Sequence, residues 1–148
     1  MKGQSSLELM VTVGVVIAFT IPVLFLLLSV SSVGYEDTAK AQADASARTL
    51  ADTMNSVYAQ GPGAERELLL NVPATTQEVR ADAVAPGQRG GEAIVRIRTS
   101  GGGFDATSPT IAVVSPSSQT IVKKTGLFRL VVRADPQGRV ELIDPTAP

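Results

Sequence analysis

The residue with the most informative chemistry is Glu8, a carboxylate placed directly before a long apolar run. Residues 9–35 contain no charged side chain. A secretory signal normally carries positive charge before its apolar core and has no acid there, so Glu8 needs an explanation of its own. A single carboxylate at the edge of a membrane segment can pair with a cation, and we interpret Glu8 as an assembly group.

Other chemistries are excluded by composition. The chain has no Cys, no His and no Trp, and its net charge is −1. Without Cys or His there is no thiol nucleophile, no Ser-His-Asp triad, no Cys/His zinc site and no disulfide framework. Basic and acidic residues are nearly balanced after residue 60 and are not clustered, unlike the basic surface that nucleic-acid binding requires. The sequence therefore predicts a non-enzymatic protein without cofactor, metal or nucleic-acid partner.

The element that carries Glu8 is predicted to be a membrane-crossing helix. Residues 9–30 are apolar and span about 33 Å as a helix, which is enough to cross the hydrocarbon core. Lys2 precedes this run, whereas Glu36 and Asp37 follow it. The positive-inside tendency then places the short N-terminus in the cytoplasm and residues 35–148 outside.

Residues 35–60 are predicted to continue this helix as an amphipathic segment. Ala and larger apolar residues recur there at steps of three and four, and Leu50, Met54 and Tyr58 are expected to lie against a following domain. Four charged residues of alternating sign follow on another face at intervals of four, and are expected to support the helix as ion pairs: Lys40, Asp44, Arg48 and Asp52. Gly34 is a plausible break, and Pro62 between two glycines is a firm stop.

Residues 61–148 are predicted to form one small β domain. Short segments rich in branched residues alternate with Gly/Pro turns, as in an antiparallel sheet with one wet face. The predicted strands are 65–72, 78–84, 92–99, 110–114, 120–124, 127–133 and 139–143, and the last two are expected to form a hairpin. Residues 101–103 are read as a flexible turn, and the Thr75–Thr76 pair as a solvated turn. The expected fold class is α+β, with a long helix followed by a small antiparallel sandwich-like domain.

The N-terminal residues Gly3, Gln4 and Glu8, with the apolar run that follows, resemble the class III signal of archaeal type IV pilin-like proteins. In that family cleavage precedes a glutamine, and a glutamate lies four residues further on. Together with the amphipathic continuation and the Gly-Pro-Gly junction, the resemblance covers residues 1–63. The chain lacks the Gly-rich mature N-terminus of archaeal flagellins, which favours an adhesive or structural pilus.

The resemblance implies a processing and assembly pathway. A prepilin peptidase would cut between Gly3 and Gln4, separating a leader of residues 1–3 from a helix of residues 4–60 and an extracellular domain of residues 61–148. An assembly ATPase and a membrane platform protein would then extract the subunits from the membrane. The subunits would form a homopolymer at the cell surface through their helices. Glu8 would pair with the new ammonium group of Gln4, in the same chain or in a neighbour.

Gly14 and Pro22 interrupt the apolar helix and are assigned to assembly. Pro22 removes one backbone hydrogen bond and leaves the carbonyl of Ala18 free, so a kink or local stretch is expected. In a packed bundle neighbours or Thr20 can compensate for that loss. A tolerated bend without functional meaning is the alternative.

Three other interpretations remain open at this stage. The chain could be a permanently anchored single-pass protein whose β domain binds a ligand, or a minor pilin or pseudopilin of a secretion system. It could also be a secreted β domain cut by signal peptidase near residues 29–32.

Overall fold

The computed structural model describes residues 2–84, 90–116, 121–122 and 124–146, with side chains from residue 7 on except at 121 and 122. The fold class is α+β: one long helix precedes two small antiparallel sheets. Helix α1 spans Lys2–Gln60. The strands that follow are β1 (Glu65–Val72), β2 (Thr76–Ala83), β3 (Gly91–Thr99), β4 (Gly102–Thr110), β5 (Ile121–Val122), β6 (Gly126–Ala134) and β7 (Val140–Ile143).

The chain divides into two compact units, and the division falls within α1. The first unit is Met1–Asp37, and the second is Thr38–Pro148. The second half of the helix therefore folds with the sheets. The helix runs through Gly34 without the break that its sequence allowed.

Glycines terminate the helix where the sequence predicted a stop. Gly61 and Gly63 both adopt positive φ, at 89° and 85°. The Gly61 amide donates to the carbonyl of Tyr58 at 3.2 Å, which satisfies one of the free carbonyls of the last turn. Residues with a side chain are strained at such φ values, so glycine at this junction lets the chain turn from α1 into β1.

The two sheets have the strand orders β1-β6-β7 and β4-β3-β2-β5, and all strand pairs within them are antiparallel. The predicted hairpin of β6 and β7 is confirmed. Its turn is held by the Asp135 carboxylate, which accepts hydrogen bonds from the amides of Gln137 and Arg139, both at 2.8 Å. This is the local hydrogen bonding that favours Asp in turns.

One hydrophobic core joins the second half of α1 to both sheets. Leu50 and Met54 are fully buried, and Tyr58 is partly buried against the same cluster, which confirms their predicted position. The Ala stripe also faces this core, since Ala43 and Ala47 are buried. The core further includes these strand residues, among others: Leu70, Val79, Val95, Ile97, Leu130, Val132, Val140 and Leu142.

One predicted strand, 110–114, is wrong. Thr110 is the last residue of β4, and the chain bends at Ile111, which is 69% exposed. Val114 then forms a single parallel bridge to Val140, beside the β7 edge of the three-stranded sheet. Burial alternates there as it would in a strand, since Thr110, Ala112 and Val114 are buried, but the chain bends at residues 111 and 112 and forms no continuous ladder.

The predicted ion pairs along α1 are wrong too. Among the residues that the structure describes, no salt bridge joins Lys40, Asp44, Arg48 or Asp52 to another of the four. The Lys40 ammonium instead lies 5.9 Å from the centre of the Phe104 ring. A cation over an aromatic face is stabilised by the ring quadrupole. The charged face of α1 is thus solvated, apart from this contact with β4.

Candidate assembly and membrane helix

The first unit exposes every large apolar side chain that the structure describes in it. From Leu7 to Tyr35 these side chains are between 48% and 76% exposed. A continuous apolar surface of this extent is not typical of a soluble monomer and marks a surface that meets membrane or protein. By length and composition, the helix from residue 7 onward contains a segment able to cross a membrane. It is therefore compatible with a single-pass membrane anchor.

Several hydroxyl side chains of this segment form hydrogen bonds within the helix. The Thr12 hydroxyl donates to the carbonyl of Glu8 at 2.8 Å, and the Ser29 hydroxyl donates to the carbonyl of Phe25 at 3.0 Å. Ser32 donates in the same way to the carbonyl of Ser29 at 2.8 Å. Internal bonds of this kind let hydroxyls enter an apolar environment without an unpaired donor.

Pro22 lies inside the helix, as predicted. Proline has no amide hydrogen, so the Ala18 carbonyl receives no bond from it. The Thr20 hydroxyl does not compensate, because it donates to the carbonyl of Val16 at 2.7 Å. The Ala18 carbonyl is thus a position where a neighbouring donor would be stabilising.

Gly14 leaves an uncovered strip of backbone on the same helix. A Cβ built at Gly14 would meet no atom within 4 Å. Small residues let two helix backbones approach closely, which is how many helices pack in membranes. The site predicted for assembly is therefore open in the single chain.

Glu8 lies at the N-terminal end of this apolar surface. Its side chain is exposed, and among the described side chains, which begin at residue 7, no cation pairs with it. Gly3 and Gln4 belong to the same helix, but their side chains lie outside those the structure describes, and Met1 lies outside the described residues altogether. Residues four apart on a helix share a face, so Gln4 and Glu8 are one turn apart.

Several charged side chains on the strands of the second unit form ion pairs. Arg96 donates two parallel hydrogen bonds to Asp105, Nε to Oδ1 at 2.6 Å and Nη2 to Oδ2 at 2.7 Å. This bond lowers the pKa of the Asp105 carboxyl and raises that of the Arg96 guanidinium. On β2, Nη1 of Arg80 lies 2.9 Å from Oε1 of Glu78, and Nε of Arg80 lies 3.0 Å from Oδ2 of Asp82. The Arg96–Asp105 pair joins β3 to β4, and a cross-strand pair of this kind stabilises a solvated sheet face, whereas both Arg80 pairs lie within β2.

Sequence reasoning missed a polar cleft in the second unit. It lies where the turn before β2 meets the end of β3, and the described residues that line it are Ala74, Thr75, Thr76, Gln77, Arg98 and Thr125. Thr76, read from sequence as part of a solvated turn, is buried. The sequence feature that could have indicated this cleft is the pair of threonines, Thr75 and Thr76. Nothing in the sequence places Arg98 beside them. Elsewhere in the described residues, no group of three or more Asp or Glu side chains lies close enough together to hold a metal ion.

These features define an α+β protein whose β unit has a buried hydrophobic core and whose N-terminal helix exposes an apolar surface. Comparisons of the chain with models of known protein families, with curated proteins and with solved structures find no match.

Proposed function

We propose that this protein is a structural subunit of an archaeal type IV pilus, processed by a prepilin peptidase and polymerised through its N-terminal helix. The observation that carries the proposal is the contrast between the two halves of α1. Leu50 and Met54 in the second half are fully buried in the β unit, whereas the large apolar residues of the first half, such as Leu24, are exposed. A helix of this kind has one half fixed to its own domain and one half available to other helices.

The same apolar surface serves two environments in this proposal. Before assembly it crosses the membrane, where the internally bonded hydroxyls of Thr12 and Ser29 reduce the cost of burial in lipid. An assembly ATPase and a membrane platform protein then move the subunit into the filament. There helix packing replaces lipid contact, so close approach at Gly14 matters more than hydrophobicity. Exposing this surface to water would cost about 25 cal/mol per Å², which makes the filament resistant to dissociation.

In this mechanism Glu8 determines the depth at which a new subunit is inserted into the filament. Cleavage between Gly3 and Gln4 creates an ammonium group one helical turn from Glu8. A charged carboxylate near hydrocarbon is costly alone, up to about 3 kcal/mol at the helix centre, and pairing with an ammonium reduces that cost. The pair forms within one chain or between neighbours, and an unpaired Glu8 disfavours a subunit inserted at the wrong depth.

A second candidate is a permanently anchored single-pass protein whose β unit binds a ligand outside the cell. It is supported by the same membrane-compatible helix. The anchored-protein candidate does not explain why Gly3 and Gln4 precede Glu8. It also gives no packing partner for the open backbone at Gly14. A minor pilin or pseudopilin shares every feature of the first proposal and differs in abundance.

Immunogold electron microscopy of whole cells distinguishes these candidates, using antibody raised against the full chain. A major pilus subunit predicts label along the whole length of surface filaments. Label confined to filament bases or tips indicates a minor subunit. Label on the cell envelope, with unlabelled filaments or none, contradicts the pilus proposal and favours the anchored protein.

A further inference from the structure

The second half of α1 carries four charged side chains of alternating sign. They are four residues apart and are here called the charged ridge: Lys40, Asp44, Arg48 and Asp52. Residues four apart are neighbours on a helix surface, so the four side chains form one row. Their signs along the row are positive, negative, positive and negative.

None of these charges is neutralised within the part of the chain that the structure describes. Asp44, Arg48 and Asp52 are exposed, and none of the three forms a salt bridge with a described residue. The Lys40 ammonium lies 5.9 Å from the centre of the Phe104 ring, and this contact supplies no counter-charge. The charged ridge therefore presents its full set of charges to a partner.

A row of small residues follows one side of the charged ridge. Ala41, Ala45 and Thr49 are also four residues apart, and all three are exposed. The Thr49 hydroxyl donates to the carbonyl of Ala45 at 2.8 Å, so it is satisfied within its own helix. Rows of this spacing pack into the grooves of a second helix, and the side chains at the contact set how close the two helices come. The small row therefore leaves room for the longer side chains of a second charged ridge.

The contacts of α1 with the two sheets leave the charged ridge uncovered. Ser46 donates to the carbonyl of Asn71 in β1 at 2.7 Å, and Asn55 accepts from the Thr110 hydroxyl in β4 at 2.6 Å. Ser46 and Asn55 lie on opposite sides of the helix, because each residue advances about 100° around the axis. The sheets cover the side that faces the core between these two contacts, and the ridge lies on the other side.

Charge complementarity selects one arrangement of two parallel helices. Without an axial shift, every charge of one ridge faces the same charge of the other, which is repulsive. A shift by one turn, four residues or about 6 Å, brings Arg48 of one copy beside Asp44 of the next. The same shift brings Asp52 beside Arg48, and Asp44 beside Lys40. All the pairs that form are then of opposite charge.

We infer that the charged ridge binds the ridge of a second copy of this chain, with the two helices parallel and shifted by one turn. The inference rests on the proposed function, because chains that enter a pilus from one membrane have parallel helices. Arg48 of each copy binds Asp44 of the next, so the contact joins different residues and repeats without closing. A single exposed ion pair contributes little, but a filament repeats the contact at every subunit. The ridge thus determines the axial shift between neighbouring subunits.

Disulfide cross-linking in filaments sheared from cells tests this shift, because the chain has no cysteine of its own. The shift places Ala45 of one copy beside Ala41 of the next, within the Cα separation of about 4.4–6.8 Å that a disulfide requires. Filaments that contain both Ala41→Cys chains and Ala45→Cys chains should give covalent dimers on mild oxidation. Filaments of either variant alone should give none, since their cysteines lie about 6 Å further apart along the axis.

Charge reversal tests whether the ridge itself sets the shift. Arg48→Asp should lower filament yield by at least about tenfold, because it places like charges side by side at every contact. Reversing all four charges, in Lys40→Glu/Asp44→Arg/Arg48→Asp/Asp52→Arg, should restore the yield. The reversed ridge again alternates in sign, so the same shift pairs opposite charges.

A matched control separates the ridge from a general effect of charge. Arg129→Asp makes the same change of net charge on β6, where Arg129 pairs with Glu67, and should assemble as the parent does. The melting temperature of Arg48→Asp in detergent should equal that of the parent, since Arg48 is exposed. A loss of yield in Arg129→Asp as large as in Arg48→Asp would overturn the inference.

The cross-linking pattern distinguishes failure of this inference from failure of the proposed function. Parent filaments in which the mixed variants give no dimers contradict the shift and leave the pilus proposal standing. Dimers from each variant alone indicate unshifted helices, and dimers from Ala45→Cys alone indicate antiparallel ones; either result overturns the inference. Full yield in Arg48→Asp, or no recovery when all four charges are reversed, also overturns it. If the parent chain forms no filaments, the proposed function fails, and this inference fails with it.

Discussion

The Asn55 side chain accepts a hydrogen bond from the Thr110 hydroxyl, Oγ1 to Oδ1 at 2.6 Å, and so joins α1 to the last residue of β4. The same Oδ1 accepts the backbone amide of Ile111 at 3.0 Å. The Thr110 oxygen in turn accepts the amide of Ala112 at 3.1 Å. One helix side chain thus satisfies the backbone where the chain leaves the four-stranded sheet, and fixes that bend against the helix.

Asn55→Ala should destabilise the second unit by about 1–3 kcal/mol, because it leaves the Ile111 amide and the Thr110 hydroxyl without their acceptor. Differential scanning calorimetry of the full chain in detergent measures the effect. Thr49→Ala is the matched control, since the Thr49 hydroxyl is exposed and bonds only to the carbonyl of Ala45 in its own helix. Equal effects of the two substitutions would contradict the role of Asn55.

Leu50→Ala and Leu24→Ala should affect different properties, fold stability and filament assembly, although both truncate a leucine of α1. Leu50 is fully buried, so its loss should cost about 2–5 kcal/mol of unfolding free energy through the cavity it leaves. Leu24 is 53% exposed and should leave that free energy unchanged while reducing filament yield. Urea unfolding followed by circular dichroism, with filament yield after shearing, separates the two. A destabilised Leu24→Ala chain would show that the first half of α1 also supports the fold.

Stability should fall in acid partly through Asp144. The Lys124 ammonium lies 2.6 Å from Asp144 Oδ1, and this hydrogen bond is the main reason that the carboxyl pKa falls below its ordinary value of 3.8. The pKa of Asp144 is lower in the folded state than in the unfolded state. The ion pair therefore contributes fully to the unfolding free energy above pH 3.8, and this contribution is lost as the pH falls through the folded-state pKa. Unfolding free energies measured across this range should depend less on pH in Asp144→Asn than in the parent. If the unfolding free energies of Asp144→Asn and the parent depended on pH in the same way, the ion pair of Asp144 with Lys124 would not contribute to the acid sensitivity.

Glu8→Gln should impair filament assembly and leave the second unit folded. The substitution keeps the shape of the side chain but removes the charge that pairs with the new ammonium group. The measurements are filament yield after shearing and the melting temperature of the full chain in detergent. Glu65→Gln is the control, because Glu65 is an exposed acid at the start of β1. Normal assembly of Glu8→Gln would contradict the proposed ion pair.

The elements with a strong periodic pattern were predictable from sequence. Strand β1 was predicted with its observed bounds, and β6 within one residue at each end, because both are short segments rich in branched residues between turn signals. The helix was predictable to its last residue, since Gly61 and Gly63 adopt the positive φ that ends it. The buried positions of Leu50 and Met54 followed from helical spacing alone.

Strand β4 was not predictable, and the physical reason lies in its position. It is the outer strand of its sheet, paired only with β3, and buries few side chains, among them Ala106 and Thr110. A strand with so little apolar surface resembles a loop in sequence. The apolar residues after it, with Ile111 exposed at a bend, produced the false strand at 110–114 instead.

The assembly helix could be predicted from the sequence, whereas the polar cleft could not. Glu8, Gly14 and Pro22 lie on one continuous helix, so their order in the sequence fixes their order in space. The cleft depends on the register that pairs Thr76 with Ile97, which brings Arg98 beside the turn before β2. Register depends on the turn geometry and on the hydrophobic patterns of both strands together, so the sequence around Thr76 alone does not give it.

The most direct test of the pilus proposal is the N-terminal peptide of this chain in two fractions, filaments sheared from cells and washed membranes. A processed pilus subunit should give a sheared form that begins at Gln4, with Met1–Lys2–Gly3 removed. A chain that retains Met1 and occurs only in membranes would contradict it and indicate a fixed anchor. A chain that begins after residues 29–32 would also contradict it, because the apolar helix needed for polymerisation would be gone.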